Sequence, residues 1–149
     1  MNKNSHRQDS LPENNPFFAP SKLPFHAPAF DKIKNSDFKP AIEEGIHQQM
    51  AEIRKIADNP AAPTLENTLV AMEKSGQLLK RVNLVFNVLT GAYTNPELQK
   101  VEADEAPKLA ANNDAIYLNS KLFKRIEAIY RKRGSLKLDA ESNRLVEYY

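Results

Sequence analysis

The residues that could do chemistry are few. The imidazoles are His6, His26 and His47, and a catalytic zinc needs three or four ligands, commonly two of them as the two histidines of H-E-x-x-H on one helical face. His47 is followed by Gln48, with Ala51 four positions on, so that pair is absent and His47 reads as a structural residue. With no cysteine in the chain, thiolate nucleophiles, thiolate metal ligands and disulfides are excluded. No serine stands in G-x-S-x-G, and the four glycines cannot be arranged into a phosphate-binding loop. The adjacent carboxylates Glu43-Glu44 and Asp104-Glu105 could be nominated as acid and base. Neighbours on a helix point about 100 degrees apart, and both pairs read as parts of polar faces. The expectation is no catalytic, no cofactor-binding and no metal-ligating residue in this chain.

One charged stretch stands out. Lys121, Lys124, Arg125, Arg131, Lys132 and Arg133 face only Glu127 between positions 121 and 133, which is the best hint of a nucleic-acid surface. Three of these cations fall in the last turn of a predicted helix, where they complement its dipole. The whole chain carries 21 Lys and Arg against 19 Asp and Glu, too near balance to argue for nucleic acid or an anionic membrane. No apolar run approaches the roughly 18 residues of a membrane span, and the start, MNKNSHRQDSLPENN, has no secretion-type apolar segment. A cytoplasmic protein is expected.

The elements that would position these residues are helical. Residues 1–15 read as a polar, disordered tail. Between Pro12 and Pro40 lie six of the ten prolines, interleaved with Phe17, Phe18, Phe25, Phe30 and Phe38; this predicts an extended arm whose aromatics pack over a helical body. A first helix is predicted from a cap at Asp37 to Asp58-Asn59-Pro60, with Phe38, Ile42, Ile46, Met50, Ile53 and Ala57 as its inner face.

Pro63 to Asn95 holds the longest pattern. Leu65, Leu69, Met72, Gly76, Leu79, Asn83, Phe86 and Thr90 recur at alternating spacings of four and three, which predicts one long helix capped by Thr64, with Gly76 on its stripe at a close helix contact. Asn95-Pro96-Glu97 has the order expected at a helix start. The third element should be kinked or divided at Pro107 and end at Asn112-Asn113-Asp114, before a short turn over 115–119. Ser120 then caps a fourth helix reaching about Arg133, with Leu122, Phe123, Ile126, Ile129 and Tyr130 inside, and Gly134 stops it. Asp139 caps a fifth, carrying Leu145, Val146 and Tyr149. The fold class is therefore all-α, an antiparallel helical array with a Pro/Phe-rich N-terminal arm. A last helix of hardly three turns, ending on apolar or aromatic residues with no C-terminal cap, reads as a cut in or near the fifth helix, so a fragment of a larger helical protein is expected.

Several segments in order resemble a known family. PTLENTLVAMEKSGQLLKRVNLVF, TNPELQKVEADEAPKLAANNDAIYLNSKLFKRIEAIY, the arm and first helix NPFFAPSKLPFHAPAFDKIKNSDFKPAIEEGI, and LKLDAESNRLVEYY are similar to the N-terminal region of thimet-oligopeptidase-type zinc metallopeptidases, in their peptidyl-dipeptidase branch. That resemblance implies a longer, two-lobed helical enzyme around a channel, with one zinc held by H-E-x-x-H and a later glutamate. Those residues are not in this chain, so none is carried over. The resemblance implies a scaffold for residues 16–149, inactive alone, whose partners are the remainder of the parent polypeptide and, in the whole enzyme, oligopeptides that lose C-terminal dipeptides. Exposed apolar surface would then favour self-association. The other reading of the residues is an autonomous helical module binding a partner protein, or less readily RNA, through its arm or its basic fourth helix.

Overall fold

A computed structural model describes residues 11–149, which are helical with no strand among them. His6 and most of the predicted tail fall outside the described residues. Leu11 and Asn15, placed in that tail by their polar neighbourhood, are buried. No helix is long and apolar enough to cross a membrane among these residues. The chain divides into two compact units: one made of residues up to Gly45 together with Leu78–Glu105, the other of Ile46–Gln77 and Ala106–Tyr149.

In the first unit the arm is held at its beginning. The Asn15 amide donates to the carbonyl of Asp37 (3.1 Å), its oxygen accepts from the backbone N–H of Phe17 (2.9 Å), and the Phe17 ring lies 5.3 Å from that of Phe38. Beyond Phe17 the arm is not the evenly extended strap expected from its prolines. It folds into tight 3-10 turns at Pro24–His26 and Phe30–Lys32, and Phe25 is fully exposed while Phe18 and Phe30 are half so. Closely spaced prolines forbid a helix but permit turns, and two of the five aromatics, Phe17 and Phe38, suffice to dock it.

Helix α1 (Asn35–Ala57) begins slightly earlier than predicted. Asp37 acts from inside the first turn, accepting from the backbone N–H of Lys34 (2.8 Å) while its own N–H bonds the Lys34 carbonyl. Phe38 and Ile42 are fully buried with Val82 and Phe86 of helix α3 (Gln77–Ala92) in the same core. The close helix approach is at Gly45, which the sequence does not mark: a Cβ there would stand 2.9 Å from the Cα of Leu79. Helix α4 (Pro96–Tyr117) starts as its sequence predicts, Asn95 accepting from the N–H of Leu98 (3.0 Å).

The long helix predicted over 63–95 is broken. Thr64 caps it as expected, in a reciprocal box with Asn67, but the first turns form a π-helical stretch, Leu65–Val70, then the single turn α2 (Ala71–Glu73), and the helix stops at Gly76 with φ +67. The spacing predicts burial correctly, since Leu69, Met72, Gly76 and Leu79 are all buried. It does not register the break. A left-handed glycine redirects its N–H out of the helical ladder, and the carboxylate of Glu52 accepts it at 2.7 Å, while the Ser75 hydroxyl donates to the Met72 carbonyl. Gly76→Ala combines two costs: about 1–2 kcal/mol for a side chain in the left-handed region, and displacement of the Gln49 amide, whose nitrogen lies 2.6 Å from the added Cβ. Gln49 accepts from buried Asn112 at 2.8 Å, so moving it disturbs an internal pair. A loss of about 2 kcal/mol in urea denaturation is expected.

The core of the second unit is Ile53, Ile56, Leu69, Met72, Ile116, Leu122, Ile126, Ile129 and Val146. Helix α4 is not divided at Pro107, nor does it end at Asn112-Asn113-Asp114. Asn112 is an interior member of the stripe because Gln49 takes its N–H, and Ile116 continues the buried face one turn later. Helix α5 (Ser120–Lys132) is capped by Asn119 rather than Ser120; the Asn119 oxygen accepts from the N–H groups of Lys121 and Leu122. A 3-10 turn at Arg133–Ser135 ends it where Gly134 predicts. Its inner face is Leu122, Arg125, Ile126 and Ile129, with Phe123 and Tyr130 exposed, against the expectation that these aromatics complete the core.

Helix α6 (Ala140–Tyr148) is capped by Asp139 as predicted, the carboxylate accepting from the N–H of Ser142 at 2.7 Å. That bond holds the Asp139 carboxyl below its usual 3.8. A lowered folded value means that the cap's contribution is complete above the ordinary carboxylate range and is lost as pH falls below it. A loss of protection at the Ser142 amide, measured against its intrinsic exchange rate, below about pH 4 checks this.

Candidate functional site

Helix α1 carries Glu43, Glu44 and His47, which its polar positions leave exposed or partly so. In the first unit, Asp104 and Glu105 follow the helical turn to opposite environments. Asp104 sits outside between Lys100 (3.3 Å) and Lys39 (3.6 Å), and chiefly the hydrogen bond from Lys100 holds its carboxyl below the usual range. Glu105 is buried, although its pair reads from sequence as part of a polar face. The two therefore do not form an acid–base couple. His26 lies in the exposed turn of the arm, its Nδ1 2.8 Å from the carbonyl oxygen of Ser21.

A cleft of about 900 Å³ lies in this unit between the arm and α3, lined by Phe17, Phe18, Leu23, Phe25, Arg81 and Leu84 among others. The Arg81 guanidinium donates to the Phe17 carbonyl (3.0 Å), and burial lowers its pKa. This lining can cover apolar groups and pins the arm to α3.

In the second unit the basic stretch of α5 resolves into separate roles. Arg125 points inward, with Nη1 donating to the carbonyls of Asn59 (2.7 Å) and Ala61 (3.1 Å), Nη2 to the Asn67 side chain (2.9 Å) and Nε to the Thr68 hydroxyl (3.3 Å). Lys121 pairs with Asp58 at 2.5 Å, Arg131 with Glu127 at 2.6 Å, and Arg133 lies 3.7 Å over the Tyr130 ring. Here α5 is a clamp on the turn at 59–61, and four of the six cations of the stretch, Lys121, Arg125, Arg131 and Arg133, have local partners.

A tyrosine cluster, not singled out by the sequence reading, closes the same unit. Tyr149 donates to Glu73 at 2.5 Å, and the rings of Tyr148 and Tyr149 meet edge to face at 5.1 Å. Burial, then the Glu73 bond and charge, push the Tyr149 phenol well above its ordinary value, so it stays protonated and acts as a hydrogen-bond donor. Among the described residues no three His, Cys, Asp or Glu side chains converge to hold a metal. The described residues alone do not supply a ligand set for the zinc that the resemblance implies.

Over 133 residues, 89% of its length, the chain is 49% identical to the dipeptidyl carboxypeptidase of Salmonella typhimurium, and equally to that of Escherichia coli. This chain is a relative of the dipeptidyl carboxypeptidases. It spans about one fifth of the length of these curated relatives and matches their N-terminal region. No family model matches it. A match of 133 residues takes in most of both units, so the likeness to the dipeptidyl carboxypeptidases rests on the whole helical frame and not on one motif.

Proposed function

We propose that this chain is the N-terminal scaffold of a zinc metallopeptidase that releases C-terminal dipeptides from oligopeptides, and that it has no hydrolytic activity alone. The observation that carries this reading is the 49% identity across nearly the whole chain to dipeptidyl carboxypeptidases about four and a half times its length. The side chains with the most elaborate partners support it, because each is engaged in holding helices: Arg125 on the turn at 59–61, Glu52 on Gly76, and Gln49 on Asn112. The catalytic zinc, its ligands and the general base would then lie in polypeptide beyond these residues. The partners in this reading are that remaining polypeptide and, for the whole enzyme, oligopeptide substrates in the cytoplasm. Nucleic acid and membrane have no part in it. Residues 16–149 form the beginning of a lobe that walls the substrate channel, and the isolated chain self-associates weakly through its uncovered apolar side chains.

Reading the gene past the codon for Tyr149 tests this at once. An H-E-x-x-H in frame downstream is the expected result. A stop codon at that point, with a monomeric and cooperatively unfolding product, would favour an autonomous module.

A further inference from the structure

In the second unit, three exposed rings from three helices gather at one end: Tyr117 at the close of α4, with exposed Leu118 next to it in the chain, Phe123 on the first turn of α5, and Tyr148 at the end of α6. Leu118 is 81% and Tyr148 72% exposed, unusual values for residues this apolar in one neighbourhood. Their contiguity is physical. Tyr117, Phe123 and Tyr149 line one small notch of about 30 Å³ whose floor is Met72, Ile116 and Leu122 of the core, and the Tyr148 ring meets that of Tyr149 edge to face at 5.1 Å.

The chemistry of the patch limits what it takes. The Tyr149 hydroxyl is already engaged with Glu73, and what the patch offers is mainly ring faces and the Leu118 side chain. The notch is too small for a ligand beyond a single methyl-sized group or one water. Such a face suits apolar side chains of a packed polypeptide segment. The last residue of the chain, Tyr149, belongs to the notch, so polypeptide continuing from α6 emerges at the edge of the patch.

We propose that the face made by Tyr117, Leu118, Phe123 and Tyr148 is the docking surface for the polypeptide segment that follows Tyr149 in the longer peptidase. This rests on the scaffold reading above, in which four fifths of the polypeptide, by the length of the relatives, remains to be placed. The segment packs apolar side chains across the three helix ends and closes the core of this unit.

Hydroxyl-radical footprinting of residues 1–149, at a concentration where the chain is monomeric, and of the full-length gene product tests the proposal. Oxidation of Tyr117, Phe123 and Tyr148 should fall several-fold in the full-length protein. Phe123→Ser should lower the full-length Tm by several degrees and leave that of residues 1–149 unchanged. Equal oxidation in the two proteins, or a Phe123→Ser variant as stable as the full-length parent, overturns the docking surface. Protection that arises only in residues 1–149 as concentration rises assigns the face to a second copy and overturns it likewise. A gene ending at Tyr149 instead removes the scaffold reading, and this inference with it.

Discussion

Arg125→Ala should destabilise the chain by about 3–4 kcal/mol, the larger part of it from acceptors left without donors. The guanidinium is buried and supplies four hydrogen bonds, two of them to the carbonyls of Asn59 and Ala61 in the turn that joins α1 to the π-helical stretch. Its third partner, the Asn67 side chain, also accepts from the N–H of Thr64 and the hydroxyl of Thr68, so one oxygen joins the helix cap to α5. Alanine removes the donors and leaves a space, while the carbonyls stay fixed by the chain around them. Arg125→Lys keeps the charge but not the fork, and cannot reach the turn and Asn67 together, so about half the loss should persist. Urea denaturation of the three proteins measures it. A loss under about 1 kcal/mol for the alanine variant would mean that water replaces the guanidinium and that α5 does not clamp the turn.

The second large effect is expected at Phe38. Its side chain is fully buried in the first unit, between Phe17 of the arm at 5.3 Å and Phe86 of α3 at 5.1 Å. Truncation to alanine forfeits burial, two aromatic contacts and the packing around the hole, together about 4 kcal/mol. Because Phe17 loses its main neighbour, the arm should also become an early site of limited proteolysis near Phe17. Phe25, fully exposed in its turn, provides the contrast: Phe25→Ala should stay within about 0.5 kcal/mol of the parent. Equal sensitivity at Phe25 and Phe38 would contradict the arrangement of the arm.

These two residues also mark what a sequence makes legible. Phe38 begins an apolar stripe with Ile42 and so declares its burial by period alone. Caps are local in the same way: Thr64, Asn95 and Asp139 each lie three residues before the N–H they accept, and each is found where predicted. Arg125 is the reverse case. Hydrophobicity favours Phe123 for the core, and only acceptors brought from 57 to 66 positions away make burial of the arginine favourable. Asn112 stays within its helix for the same reason, through a partner 63 residues distant.

Gly76 shows a different limit. A three-four spacing records which residues face inward, and it is satisfied equally by a continuous helix and by a π-helical stretch, a single turn and a left-handed glycine. What distinguishes them is the Glu52 carboxylate waiting 24 positions earlier. Gly45, where α1 comes against Leu79, gives no local sign because a glycine in a helix looks the same whether or not a neighbour needs its space. As for a site, the sequence carries no motif that marks one, and the tyrosine face needed three helix ends to be brought together.

The most direct measurement is an assay of blocked oligopeptides with purified residues 1–149 beside the full-length gene product, each with and without added zinc and chelator, following release of C-terminal dipeptides. The account predicts zinc-dependent release by the full-length protein, and none by residues 1–149, which bind no stoichiometric zinc. Zinc-dependent dipeptide release by residues 1–149 that co-purifies with the chain and follows its concentration would contradict it.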